Sequence, residues 1–225
     1  MSAAPVQLPR RERNKQEKRA ALLASARRLF ARKGFAATTT AEIAERAGVG
    51  AGTLFLYFAS KDDLLVAIFR ADMDAVVDRA FVTLPRRASL LAELLHVYGA
   101  MIALHERDPE LARAFVKEML FVSAPNRASV FEYIDRLDER IAERVALRQA
   151  RGELDPSVAP LLVAENCFAL YIARLQKWLG GAERLASTEH LTRLRAAFAL
   201  QLRALEPNVA ATAAKKRAMP RRRTA

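Results

Sequence analysis

The sequence predicts an all-α fold. Apolar residues recur every three or four positions along most of the chain, whereas the strict alternation typical of strands is almost absent. Capping residues, Asp-Pro pairs and glycines separate these periodic stretches, as expected where helices begin and end. With 225 residues, 52% of them hydrophobic, the chain can bury a substantial core, which excludes a fully disordered protein.

The first three helices are predicted to be one amphipathic helix followed by two short ones. The first spans about residues 15–33 and ends at Gly34, as a glycine after a helix terminus would end it. The second starts at Thr39, which forms a capping-box pattern with Glu42, and the third spans about residues 51–58. A turn containing glycine joins the two short helices. This arrangement is typical of a helix–turn–helix and predicts a DNA-binding element.

The rest of the chain is predicted to form a helix array. A proline, Pro85, interrupts the chain after the first of these helices. Asp108-Pro109 and Asp155-Pro156 each supply an N-cap followed by a proline at the first helical position. The predicted helices span about residues 61–81, 89–107, 108–121, 127–151, 156–179 and 188–206.

The positive charge of the chain is concentrated at its two ends. Residues 1–60 carry 11 Lys or Arg against 4 Asp or Glu, and residues 207–225 carry 6 against none. Residues 61–206 are close to neutral, so the net charge of +12 belongs to the termini. Such an excess favours a polyanionic partner, either nucleic acid or an anionic membrane surface. The basic stretch 215–223 is interpreted as a solvated extension rather than an import signal or a membrane patch.

The sequence offers no signal for export, membrane insertion or metal binding. Cys167 is the single cysteine, and no paired Cys and His spacing suits zinc. No run of 18 apolar residues occurs, and the N-terminus lacks the apolar core of a signal peptide. We therefore expect a cytoplasmic protein with no membrane partner, no cofactor and no metal.

The third helix places apolar and aromatic side chains on more than one face. Leu54 and Phe58, four positions apart, can face inward, which leaves Phe55, Leu56 and Tyr57 on other sides. Such a cluster in isolation is more often core than interface. The capped helix, the glycine turn and the basic first helix around it favour a surface for the major groove, where apolar groups meet thymine methyls.

At this point the sequence resembles a known family. Residues 34–65, "GFAATTTAEIAERAGVGAGTLFLYFASKDDLL", are similar to the DNA-binding signature of the TetR family of bacterial transcriptional regulators. The capping threonines, turn glycine, Gly-Thr-Leu, Tyr-Phe and Ser-Lys all appear in order. The resemblance covers some 50 residues. It implies a homodimeric repressor that binds a palindromic double-stranded DNA operator and is released by a small effector.

The resemblance also assigns residues to DNA. Thr39 would cap the second helix, and Lys61 would grip phosphate from the first turn of the fourth. The complete implied set is Thr39, Thr40, Gly50, Ala51, Thr53, Phe55, Leu56, Tyr57 and Lys61. Gly50 and Phe55 stand where the family often has a hydroxyl-bearing residue. Because Ala51–Tyr57 contains no Arg, Asn or Gln, direct reading of purine edges should be sparse.

Four segments follow from these patterns. They are a basic disordered arm (1–13), a helix–turn–helix DNA-binding domain (14–74), a helical effector-binding and dimerisation domain (75–206) and a basic disordered tail (207–225). The inward aromatics and methionines of the third segment are candidates for a pocket that takes a lipophilic effector. They are Tyr98, Met101, Phe115, Met119, Phe131, Phe168 and Tyr171.

The last two helices each carry two apolar stripes. One stripe can pack on the core of the same chain, so the second must be buried against another partner. A four-helix interface between two copies of the chain would cover both stripes. The candidates for this interface are Leu191, Leu194, Phe198, Leu202 and Trp178. The alternative is a helical enzyme or small-molecule carrier with a basic surface patch, but the three scattered histidines form no catalytic motif.

Overall fold

A computed structural model describes residues 9–120, 124–181 and 186–207. Nine α-helices occur in these ranges, and the all-α prediction is confirmed. The helices are α1 (Arg10–Lys33), α2 (Thr40–Arg46), α3 (Ala51–Phe55), α4 (Lys61–Val82), α5 (Leu90–Arg107), α6 (Pro109–Leu120), α7 (Ala124–Ala150), α8 (Pro160–Leu179) and α9 (Ser187–Arg203). Residues 1–8 of the predicted arm and 208–225 of the predicted tail lie outside the described residues.

Five boundaries differ from the predictions by three residues or more, two of them the start of α7 at Ala124 and the end of α9 at Arg203. α1 begins at Arg10, so residues 10–13 are helical rather than part of a disordered arm. α3 ends at Phe55, three residues early. α8 begins at Pro160 rather than near residue 156, because the Asp155 carboxylate accepts from the Ser157 amide at 2.8 Å and closes a local turn instead of capping a helix.

The chain divides into two compact units. The first contains the described residues up to Val76 together with Leu104–Tyr133, and the second contains Val77–Ala103 and the described residues from Ile134 onward. The predicted boundary after residue 74 falls close to the first division. Because α4 runs from Lys61 to Val82, one continuous helix contributes residues to both units.

The first unit is built around the helix–turn–helix. Leu22, Phe30, Ile43 and Leu54 are fully buried and bring α1, α2 and α3 together. A second group in this unit is aromatic. Phe69 stacks on Phe115 with ring centroids 4.4 Å apart, and on His105 at 5.2 Å. Burial lowers the pKa of His105 to about 3, so its ring is neutral at physiological pH.

The second unit has an aromatic core and a buried ion-pair network. The Tyr98 ring lies 5.2 Å from those of both Tyr171 and Phe198, which joins α5 to α8 and α9. Glu93 on α5 is buried and accepts from two arginines of α7, Arg144 at 2.8 and 2.9 Å and Arg148 at 2.7 Å. Burial raises the pKa of Glu93, but the two guanidinium groups outweigh that effect and hold the pKa below its ordinary value.

Within the described residues, no helix combines the length and the apolar character that crossing a bilayer requires.

Candidate nucleic-acid interface

The start of α2 is fixed by the capping box that the sequence predicted. The Thr39 hydroxyl accepts from the Glu42 amide at 3.3 Å, and the Glu42 carboxylate accepts from the Thr39 amide at 2.9 Å. Lys33 at the end of α1 also donates to Glu42. The Lys33 ammonium and the Thr39 amide and hydroxyl lower the pKa of Glu42 to about 2. This geometry orients α2 against α1 and leaves Thr40 as the first helical residue.

A glycine turn leads from α2 to α3. Gly48 has φ of +69°, a conformation that other residues adopt at a cost, and the Val49 amide donates to Ala44 at 3.0 Å. Leu54 and Phe58 then anchor α3 and the turn after it, since both are buried. The predicted inward pair is thereby confirmed.

The opposite side of α3 faces outward. Phe55 is 52% exposed and Leu56 is 83% exposed, which is unusual for side chains of this size. Gly50 and Ala51 are also exposed, while Tyr57 is half-buried. An apolar surface flanked by a phenol on a short helix can enter a major groove and meet thymine methyls.

Gly52 in α3 is not required by the protein's own packing. A Cβ built on it meets nothing within 4 Å, and its backbone is helical. A Cβ on Gly50 would meet only the Thr53 hydroxyl oxygen, at 3.9 Å. A glycine inside a helix lowers helix stability. Because the packing of the protein does not require glycine at this position, its presence indicates that another molecule approaches the backbone closely.

Lys61, which the family resemblance assigns to phosphate, makes several contacts within the protein. Its ammonium donates to the carbonyls of Phe35, Ala36 and Thr38 at 2.8, 3.3 and 3.0 Å, and it lies 4.3 Å from the centroid of the Phe35 ring. An ammonium has three donors, and all three are engaged. In this structure Lys61 holds the loop between α1 and α2 in place.

A groove next to α3 adds residues that the sequence analysis did not assign. It has a volume of about 660 Å³ and lies between the first turns of α1 and the chain just after α3. The lining residues are Arg11, Glu12, Asn14, Lys15, Lys18, Leu56 and Tyr57. The signal was present in the sequence, because the three cations recur at helical spacing. It was missed because residues 10–13 were expected to be disordered.

The predicted effector residues fall into both units. Tyr98, Met101 and Tyr171 are buried in the second unit, and the Phe168 ring lies 6.0 Å from that of Tyr171. The remaining three belong to the first unit and so do not extend this group: Phe115, Met119 and Phe131. Phe131 is 55% exposed, which corrects its assignment as an inward-facing aromatic.

A separate cavity of about 330 Å³ lies in the second unit. It has apolar walls from the start of α5 and the end of α9, and charged side chains from the α7–α8 region. None of the predicted effector residues lines it. The lining residues are Ser89, Leu90, Leu91, Arg148, Glu153, Leu154, Ala199, Leu202, Arg203 and Glu206.

Two of the five predicted dimer residues lie inside the chain's own core. Leu194 and Phe198 are fully buried, Leu191 and Leu202 are half-buried, and the half-buried Trp178 ring stacks on His190 at 5.4 Å. Leu194 and Phe198 therefore need correction as interface residues, because α9 uses them to pack on its own subunit, whereas Leu191, Leu202 and Trp178 stay predictions. The large apolar residues left outside on α8 and α9 are Leu161, Leu162 and Leu200.

α8 and α9 form an antiparallel pair. The Gln201 amide group donates to the Val163 carbonyl at 3.0 Å near one end, and the Trp178–His190 stack lies near the other. The Cys167 thiol lies 3.7 Å from Gln201 within this pair. The pair thus fixes which apolar side chains face outward.

Known proteins resemble this chain at both the sequence and the fold level. Residues 22–68 match the family described as bacterial regulatory proteins, tetR family. The chain is 27% identical over 187 residues to the HTH-type transcriptional repressor KstR of Rhodococcus jostii RHA1, which covers 83% of this chain and 84% of that protein.

Two solved structures extend the comparison. A protein from Shewanella sp. PV-4 assigned to the tetR family of transcription regulators is 30% identical, with 85% of this chain and 99% of that chain covered and a TM-score of 0.55. Thermus thermophilus FadR, a TetR family repressor solved in complex with lauroyl-CoA, is 22% identical, with 78% and 90% covered and a TM-score of 0.67.

Proposed function

Because this chain belongs to the TetR family of bacterial regulatory proteins, we propose that it is a transcriptional repressor that leaves its operator when a small lipophilic effector binds. Its family consists of regulators rather than enzymes. The observation that carries the proposal is the exposed apolar side of α3, held on a capped helix–turn–helix. We expect the protein to act in the cytoplasm, where bacterial operators lie.

The DNA contacts we propose come from the start of α2 and from α3. Thr40 and Thr53 supply hydroxyl groups for phosphate oxygens, and Gly50 and Ala51 allow the backbone to come close. Phe55 and Leu56 would meet thymine methyls in the major groove. Thr39 acts through its cap on α2, and Lys61 acts through the loop that it holds. Sequence preference would then depend on apolar contacts and on DNA shape.

We propose a homodimer formed through α8 and α9, by a different face from the one that the sequence suggested. Leu161, Leu162 and Leu200 are all at least 46% exposed, and Leu200 is 65% exposed. Two antiparallel helix pairs related by a two-fold axis would bury these leucines in a four-helix interface. A palindromic operator has the same two-fold symmetry.

The effector site that we propose is the aromatic region of the second unit. Tyr98, Met101, Phe168 and Tyr171 offer apolar surface and, in the two tyrosines, hydroxyl groups, but no charge. Such a lining suits a hydrocarbon chain. The complex of Thermus thermophilus FadR with lauroyl-CoA makes long-chain acyl-CoA the first class of effector to test.

Release requires that the effector bind the DNA-free arrangement of the dimer more tightly than the DNA-bound one. α4 offers a route, because it starts beside the helix–turn–helix and continues into the second unit. A tilt of α4 would change the spacing of the two recognition helices. Successive major grooves on one face of B-DNA repeat at about 34 Å. A dimer whose recognition helices have a different spacing can contact only one of the two half-sites.

The test is to select an operator from random duplexes and then to titrate the complex with lauroyl-CoA, with free coenzyme A as control. The proposal predicts a palindromic site and release by the acyl thioester alone. Tyr57→Phe should weaken operator binding by about 1 kcal/mol, the usual worth of one hydrogen bond, with the fold unchanged. If no duplex is enriched, the repressor proposal fails. If lipophilic thioesters stabilise the protein without weakening DNA binding, the proposal that an effector releases the DNA fails.

A further inference from the structure

The first turns of α1 carry three cations on one face. Arg11, Lys15 and Lys18 are separated by four and three positions, so they lie above one another on the helix. All three are exposed, and none forms an ion pair within the part of the chain that the structure describes. Arg13, on the opposite face, lies 3.9 Å from Glu17. The stripe is therefore a set of cations with no ion-pair partner among the residues that the structure describes.

The stripe forms one wall of the groove beside the recognition helix. Leu56 and Tyr57, immediately after α3, form the other wall. Glu12 also lines the groove, so its side chains carry a net charge of +2. Because α1 begins at Arg10, the wall is a formed helix rather than a flexible arm. The backbone that carries the cations is thus already ordered before any ligand arrives, which reduces the backbone entropy lost on binding.

We propose that this groove clamps the sugar-phosphate backbone of one DNA strand, with Arg11, Lys15 and Lys18 on the phosphates while α3 enters the adjoining major groove. This inference rests on the proposed repressor function and assigns its main phosphate grip. From Arg11 to Lys18 the helix rises about 10 Å, at about 1.5 Å per residue. Phosphates of one strand follow at about 3.4 Å along the DNA axis, so the stripe faces about three of them.

The clamp also explains how the protein binds phosphate when Lys61 is committed elsewhere. The Lys61 ammonium is used by three carbonyls. Phosphate contacts fix the register of a protein on the duplex, so a regulator needs another set of cations beside its recognition helix. The α1 stripe lies beside the residues that follow α3, and the Tyr57 phenol is positioned to donate to the same strand.

The first experiment measures the salt dependence of binding to the selected operator. Because both subunits of the proposed dimer lose the contact, Lys15→Gln and Lys18→Gln should each reduce the slope of log K against log salt by about 1.8, and the double variant by about 3.6. The same relation gives a loss of about fivefold per side chain at 0.15 M salt. Arg13→Gln removes the same charge from the opposite face of α1 and should change the slope far less. If all three variants change it equally, the clamp is overturned.

A second experiment locates the DNA strand. Cys167 is fully buried, and burial raises the pKa of its thiol to about 12, so a thiol reagent will react with an introduced cysteine instead. An iron chelate attached to Lys15→Cys should cleave one strand beside each half-site, whereas the same chelate at Arg13→Cys should cleave weakly. Equal cleavage from both positions would overturn the clamp.

The outcomes separate the two proposals. A wild-type protein that selects an operator, with a salt slope that the double variant leaves unchanged, overturns the clamp and leaves the repressor function intact. A wild-type protein that binds no duplex overturns both. If polyglutamate competes with the duplex at equal charge concentration, the groove is a site for an acidic peptide and the clamp is again overturned.

Discussion

Replacing Lys61 with methionine separates a structural role from a DNA-binding role. The substitution keeps most of the apolar stem and removes the ammonium, which donates to Phe35 at 2.8 Å, to Thr38 at 3.0 Å and, at the exposed end, to Ala36 at 3.3 Å. A hydrogen bond made by a charged group contributes about 1.5–3 kcal/mol. Two such bonds at the lower limit give about 3 kcal/mol. We therefore expect Lys61→Met to lose about 3 kcal/mol of unfolding free energy.

The assay is urea unfolding of the full chain followed by far-UV circular dichroism. In a thermal scan, a loss of this size lowers the melting temperature of a chain of this length by about 6–12 °C. Lys18→Met is the matched control, since Lys18 is an exposed cation in the groove: it should leave stability unchanged and reduce the salt slope of DNA binding. The reasoning is refuted if Lys61→Met unfolds like the wild type but reduces the salt slope of the dimer by about 1.8.

Three further predictions concern other parts of the chain. Burial, together with Glu165 and Asp135, raises the pKa of Asp138 to about 7, so the unfolding free energy of the wild type should fall as the pH rises towards 7, because the carboxyl ionises in the unfolded chain while the folded one keeps its proton. Asp138→Asn should gain about 1–2 kcal/mol on the wild type between pH 5.5 and pH 8 in urea titrations, and parallel pH profiles would contradict this. Gly52→Ala should raise stability by up to about 1 kcal/mol and weaken operator binding in fluorescence anisotropy; unchanged affinity would remove Gly52 from the interface. Leu200→Glu should yield folded monomers in sedimentation, whereas Phe198→Glu should prevent folding because Phe198 is fully buried; a Leu200→Glu dimer would place the interface elsewhere.

Features set by neighbouring residues could be predicted from the sequence. The capping box at Thr39 and the turn at Gly48 depend on residues within four positions of each other, and both occur as expected. The start of α1 was missed because its first turns contain few apolar residues, and hydrophobic periodicity carries no signal there. The start of α8 was misplaced because Asp155 uses its carboxylate for a turn, while its amide donates to Leu205 at 2.8 Å, fifty residues away.

Assignments that depend on residues far away in the sequence could not be made from the sequence alone. The sequence shows two apolar stripes on α9 but does not say which of them the subunit uses itself. The stripe that contains Phe198 packs within the subunit, because the Phe198 ring lies against that of Tyr98 on α5. Lys61 likewise could not be assigned from its own segment, because its acceptors lie 23 to 26 residues earlier. The exposed group on α3 was predictable because Leu54 and Phe58 are only four positions apart.

The shortness of α3 has a consequence for how the protein binds. The helix has five residues, a glycine at its second position and no side-chain cap, and the Thr53 and Leu54 amides both donate to the carbonyl of Gly50. Segments with so few backbone bonds open locally at a small fraction of the global unfolding free energy. The α3 amides should therefore exchange with deuterium within a time in which those of α1 and α4 stay protected. DNA slows that exchange, so part of the binding energy goes into ordering the recognition helix itself.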